Sequence, residues 1–261
     1  MADLTTNTFG RTGLTVTKLG YGAMELRGPG GMRGREIDDA AAGELLHAVL
    51  DSGINLIDTS PDYGRSEELI GEHISSRRDE FVLTSKCGCA VSPDGSPIAF
   101  GEHSFTRQNV RAGVEQSLRR MRTDHLDAVQ FHASPPMSAL EQHDSIDELV
   151  TLRAEGKIRF IGMSGTLPNI DGHISSGAFD VFQIPYSAVE REHEGVISDA
   201  ARAGAGTIIR GGVARGIPAA RPETIEQLPD RFREMFAARR DRFDRAELDE
   251  VLDGMRRMEV M

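Results

Sequence analysis

The stretch Asn55-Leu56-Ile57-Asp58-Thr59-Ser60-Pro61-Asp62-Tyr63-Gly64 begins as a buried strand and ends as a polar turn. Its apolar run stops at an aspartate, and a tyrosine follows five residues later. Pro61, Asp62 and Gly64 are ordinary turn residues. Asp58 and Tyr63 need another reason. Short runs of the same kind recur along the chain: VTKLGYGAM from Val16, NLIDT from Asn55, FVLTSK from Phe81, LDAVQFH from Leu126, RFIGMS from Arg159, VFQIPYS from Val181 and GTIIRG from Gly206. None alternates cleanly between apolar and polar residues. That is the pattern of strands buried on both faces of a parallel sheet.

Helical patterns lie between these runs. Val110, Val114, Leu118 and Met121 share one face, Leu45, Leu46, Val49 and Leu50 form a stripe, and Ile146, Leu149 and Val150 start a third. Gly53 and Gly156 stand where helix C-termini want glycine, and Thr106 stands where an N-cap is expected before Val110. The rhythm is β-α-β-α over about seven units, and its usual closed form is a barrel. The sequence therefore predicts an α/β fold, a (β/α)8 TIM barrel forming a single domain over 1–261, without the eighth β/α unit. An open doubly wound sheet is the rival, but no G-x-G-x-x-G follows the first strand. After the seventh run come GGVARGIPAARPETIEQLPDRF, a charged stretch through Arg245, and an amphipathic pattern at Leu248, Val251, Leu252, Met255 and Met258. The reading is a C-terminally truncated barrel, or one that closes another way.

Composition narrows the function. The 261 residues are 39% hydrophobic and 27% charged, enough for a sizeable core. The formal net charge of -11 disfavours sequence-independent binding to nucleic acid or to an anionic membrane. The N-terminal MADLTTNTFG has no basic or apolar signal character, and no run approaches a membrane span. A cytoplasmic location is expected. Cys87 and Cys89 are too close for a usual disulfide and offer no paired metal knuckle. The histidines, His103 and His173 among them, show no metal-ligand spacing, and two cysteines with one nearby histidine are too few for zinc, so no metal is predicted.

Barrel enzymes carry their chemistry at the C-terminal ends of strands. Those ends read Asp58, Tyr63 in the following loop, Lys86, and His132. Each alone is an ordinary cap, packing or surface residue, but four at equivalent strand ends form a set. A free tyrosine has a pKa of about 10. An ammonium beside it stabilises the phenolate. Asp58 can hold that ammonium by a charge-assisted hydrogen bond. A neutral His132 can donate to the same substrate oxygen, while the phenol delivers a proton as hydride reaches carbon. Alternation along the strand turns Cys87 away from Lys86. The glycine- and arginine-rich loop from Leu26 to Glu36 reads as solvated.

The segments GINLIDTSPDYGRSEELIG, FVLTSK, LDAVQFH, GKIRFIGMSG and FQIPYS together resemble the aldo-keto reductase superfamily, from about Thr12 to Gly216. The resemblance implies a (β/α)8 barrel and NADP(H)-dependent reduction of a small-molecule aldehyde or ketone. It implies Tyr63 as general acid, tuned by Lys86 and Asp58, with His132 orienting the carbonyl. It also implies a nicotinamide site at Gly22, Ala23, Met24, Ser164 and Gln183, with Gly165 where the family usually has asparagine. Arg210, Gly211, Gly212, Val213 and Arg215 occupy the segment where the family stacks a tyrosine and approaches phosphate. The family's adenine and 2′-phosphate contacts come largely from an eighth strand and the helix after it. Two alternatives stay open: a cofactor-independent isomerase or lyase on the same barrel, and a non-catalytic cofactor-sensing subunit. Oligomeric state is not legible.

Overall fold

The structure is a computed structural model and describes residues 4–29, 36–91, 101–187 and 190–212. The chain divides into two compact units, one of Met1–Gln183 with Ser198–Ile208, the other of Ile184–Ile197 with Ile209–Met261. The first unit opens with an antiparallel hairpin, β1 (Thr6–Thr8) and β2 (Thr15–Thr17). Then come β3 (Tyr21–Gly22), α1 (Asp39–Asp51), β4 (Leu56–Asp58), α2 (Ser66–Ile74), β5 (Val82–Cys87), α3 (Arg107–Met121), β6 (Leu126–Phe131), α4 (Met137–Gln142), α5 (Ser145–Ala154), β7 (Ile158–Ser164), α6 (Ile170–Ser176), β8 (Val181–Pro185), α7 (Glu194–Arg202) and β9 (Gly206–Arg210).

Strand order in the main sheet is chain order, β3 through β9, and each register from β3 to β8 is parallel. A doubly wound sheet reverses its direction of growth at a switch point. Growth in one direction only, with a helix before each new strand, is the (β/α)8 barrel. The fold class is therefore the one the sequence predicts. An eighth β/α unit is not among the described residues. The charged stretch through Arg245 and the pattern from Leu248 to Met258 lie outside them, as does most of the loop from Leu26 to Glu36.

Two expectations are corrected. The run from Val16 to Met24 is two strands and not one. The Thr17 amide is tied to the Asn55 side-chain oxygen at 2.7 Å, and the chain bends at Lys18 and Leu19 before β3 enters the sheet. Two helix stripes are also narrower than read. On α1, Leu46, Val49 and Leu50 are buried but Leu45 is exposed; on α5, Leu149 is buried but Val150 is exposed. Adjacent helical residues point about 100° apart, so a neighbour of a core position can turn outward. On α3 all four apolar residues are buried, and Thr106 caps it by accepting from the Asn109 amide.

The hairpin covers the N-terminal ends of the strands. Phe9 and Val16 pack with Leu56, Val82, Ala128 and Val181. Contact is close: a Cβ on Gly206 would lie 2.6 Å from the Phe9 ring. At that end, the buried Asp127 carboxylate accepts from the Leu83 amide at 2.8 Å and from Arg78 and Arg159 at 2.7 Å each. Asp127→Ala leaves the Leu83 amide without its acceptor and Arg78 without its partner carboxylate. We expect about 3 kcal/mol of lost stability, read from denaturant unfolding. An unchanged midpoint would contradict this role. Among the described residues no helix is long and apolar enough to cross a membrane.

Candidate active site

With one end of the strands covered by the hairpin, the C-terminal ends carry the reactive side chains. Asp58 ends β4, Lys86 is the penultimate residue of β5, and His132 follows β6. The β4–β5 and β5–β6 registers place these ends side by side. Lys86 is fully buried and its ammonium donates to Asp58 Oδ2 at 2.7 Å and to the Thr59 carbonyl at 2.8 Å. Asp58 Oδ1 accepts from the Thr84 hydroxyl at 2.8 Å and the Gln130 amide at 3.0 Å. Burial alone would lower the lysine, but the charge of Asp58, with that of Tyr63 and Asp62, outweighs it and holds the ammonium above the usual lysine value.

Tyr63 lies in the loop after β4. The Lys86 ammonium sits 5.1 Å from the centre of its ring. The His132 ring meets it edge-on, with centroids 6.1 Å apart. Burial, and after it the Lys86 charge, keep His132 below the ordinary histidine range although Asp62 pulls the other way. The imidazole is therefore neutral at neutral pH, and its 3.5 Å approach to Asp62 is not an ion pair. The four residues singled out in the sequence thus lie together.

The sequence reading missed what surrounds His132. Its Nδ1 lies 3.3 Å from Cys89 Sγ, 3.4 Å from His103 Nε2 and 3.5 Å from Asp62 Oδ2. From the sequence, Asp62 reads as a turn residue and His103 as part of no site. No local spacing links these residues, because an isolated bridge between Cys89 and His103 brings together positions that are apart in the chain. Both cysteines are buried, and burial pushes the Cys87 thiol well above its usual value and the Cys89 thiol up to about 12, so neither is a free nucleophile.

Ser164 and Gln183 stand opposite each other on β7 and β8, and the serine hydroxyl donates to the glutamine oxygen at 3.3 Å. Gly165 donates its amide to the Gln183 carbonyl at 3.1 Å. A Cβ there would lie 3.2 Å from Ser134 Oγ and 3.3 Å from the Met163 side chain, so an asparagine would have to displace its neighbours. Gly22 pairs in register with Asp58, and a Cβ on it would meet nothing within 4 Å. Ala23 is buried and holds the Ser66 hydroxyl through its carbonyl, while Met24 is half-buried. Arg210, Gly211 and Gly212 belong to the second unit, where the Arg210 carbonyl accepts from the Tyr186 amide at 3.1 Å. Val213 and Arg215 lie outside the described residues.

Comparison with known proteins identifies the family. The family model for the Aldo/keto reductase family matches residues 18–244. The aldo-keto reductase YhdN of Bacillus subtilis (strain 168) is 31% identical over 212 residues, covering 79% of this chain and 61% of YhdN. The NADH-specific methylglyoxal reductase of Escherichia coli (strain K12) is 29% identical over 195 residues, covering 71% of this chain and 60% of that protein. The chain thus spans less than two thirds of the length of either relative. The holo form of the aldo-keto reductase AKR11C1 from Bacillus halodurans matches with a TM-score of 0.73 at 27% identity, over 87% of this chain and 71% of that one.

Proposed function

The chain belongs to the aldo/keto reductase family, and from that premise we propose that it reduces a small-molecule aldehyde or ketone with a reduced nicotinamide dinucleotide. The observation that carries the proposal is the buried Lys86 ammonium, fixed by Asp58 at 2.7 Å and set against the Tyr63 ring. Two of its three N–H groups are used by Asp58 and Thr59, which leaves one for the phenol. That hydrogen bond and the positive charge stabilise the phenolate left behind when Tyr63 gives its proton to the carbonyl oxygen. His132 is neutral and can donate to the same oxygen, which orients the carbonyl and takes up part of its developing charge.

The strand ends suit a nicotinamide. Ser164 and Gln183 supply a hydroxyl and an amide side by side, fit partners for a carboxamide. The bound nicotinamide would supply the hydride for the carbonyl carbon. We propose NADP(H) as the form used, as the family resemblance implies.

The proposal is tested by following oxidation of NADPH and of NADH against a panel of aldehydes and ketones, alongside fluorescence titration of both dinucleotides. Both are needed because the Escherichia coli relative is NADH-specific. Saturable binding with turnover of a carbonyl is expected; the absence of both would refute the reading. Gln183→Ala should weaken binding of the preferred dinucleotide about tenfold, the worth of one or two hydrogen bonds. Unchanged affinity would remove Gln183 from the site.

A further inference from the structure

We propose that Asp62, Cys89, His103 and His132 form a binding site for one zinc-class divalent cation. The site goes beyond the reductase reading and shares only His132 with it. The four ligand atoms all lie within 4.8 Å of one another. From His132 Nδ1 the other three are 3.3, 3.4 and 3.5 Å away. A tetrahedral cation with bonds of about 2.1 Å has ligand-to-ligand edges of about 3.4 Å. Half of the required tetrahedron is thus already at its bonded size.

Hydrogen bonding does not account for the cluster. A ring nitrogen offers one N–H or one lone pair. Three heteroatoms crowd His132 Nδ1, and one proton can serve only one of them well. A cation serves all four groups at once.

The surroundings orient the donors toward this point. His103 Nδ1 lies 2.7 Å from the Gly101 carbonyl, which can only accept. The ring proton is therefore on Nδ1, and Nε2 presents its lone pair to the cluster. A backbone carbonyl on the far ring nitrogen is the usual support of a metal-bound histidine. Asp62 Oδ1 accepts from the Ser60 hydroxyl, which leaves Oδ2 toward His132. Cys89 and His103 are held opposite each other by an isolated antiparallel bridge, closed by Ala90 N to Glu102 O at 2.9 Å and Ser104 N to Gly88 O at 2.7 Å. One sulfur, two imidazoles and one carboxylate form a borderline-soft set that suits zinc over magnesium or calcium. On binding, the Cys89 thiol releases its proton to solvent, and the only ring proton left on neutral His132 sits on Nε2.

The test uses the tag-free full chain, stripped of metal and titrated with Co2+ as an optical probe. The expected result is one Co2+ per chain, with the intense visible absorption of a tetrahedral site and a sulfur-to-cobalt charge-transfer band, both bleached by Zn2+. Cys89→Ser should lose the charge-transfer band. His103→Gln should weaken binding at least about tenfold, the least that losing even an outer-shell partner costs. Circular dichroism checks that each variant is folded; should Cys89→Ser not fold, His103→Gln and the wild-type charge-transfer band carry the test. Absence of stoichiometric binding to the wild-type chain, or a charge-transfer band that survives in Cys89→Ser, or unchanged affinity in His103→Gln, overturns the site. None of these readouts depends on turnover, so a chain that reduces no carbonyl can still pass.

Discussion

Carbonyl reduction by a Tyr63→Phe variant should fall about a thousandfold in kcat, while affinity for the reduced dinucleotide stays within about twofold. The size follows from losing a general acid, which is worth about 10² to 10⁴ in rate. A thousandfold is about 4 kcal/mol of barrier. The substitution is clean because the ring remains. Phenylalanine keeps the edge-on contact with His132 at 6.1 Å and the Lys86 ammonium 5.1 Å from its centre. Neither His132 nor Cys89 is suited to replace the proton donor. His132 is held neutral below the usual histidine range, and the Cys89 thiol is pushed up to about 12. Single-turnover rates with saturating dinucleotide measure the effect. A kcat within tenfold of the parent would remove Tyr63 from the proton-transfer step.

What the sequence made legible follows from how local each signal is. Strand ends can be read from short apolar runs, and that sufficed to align Asp58, Lys86 and His132, because sequential parallel strands put equal ends on one rim. The division at Lys18 and Leu19 was hidden because its cause, Asn55 capturing Thr17, lies 38 residues away in the chain. The outward turn of Leu45 and Val150 was hidden because an apolar stripe on a helix does not state how wide its buried face is. The group around His132 was invisible for a third reason. Asp62 sits in a turn, Cys89 and His103 face each other through an isolated bridge, and His132 follows another strand. A composition of two cysteines and scattered histidines gives no spacing to recognise, although the ligand set is complete in space. Gly165 was legible as a departure from the family pattern, but its reason, the packing of Ser134 and Met163 against that position, is tertiary.

Lys86→Met separates the structural role of the buried pair from its chemical one. The side chain is fully buried, and methionine of similar length fills its volume without its charge. The Asp58 carboxylate then keeps its bonds from Thr84 at 2.8 Å and Gln130 at 3.0 Å but loses its counter-charge. Stranding a buried charge costs about 3–5 kcal/mol, so the single variant should unfold at clearly lower denaturant. Adding Asp58→Asn removes the stranded charge. The asparagine oxygen can still accept from Thr84 and Gln130, so the double variant should recover most of the lost stability. Its activity should not recover. Without an ammonium nothing stabilises the phenolate left by proton transfer, and kcat should stay about a thousandfold below the parent. A purely structural pair predicts that stability and turnover return together. A purely catalytic lysine predicts that the single variant is as stable as the parent. The expected outcome, stability restored and turnover still lost, is the one in which the Asp58 carboxylate keeps the ammonium charged in its buried site and the ammonium in turn makes Tyr63 an acid.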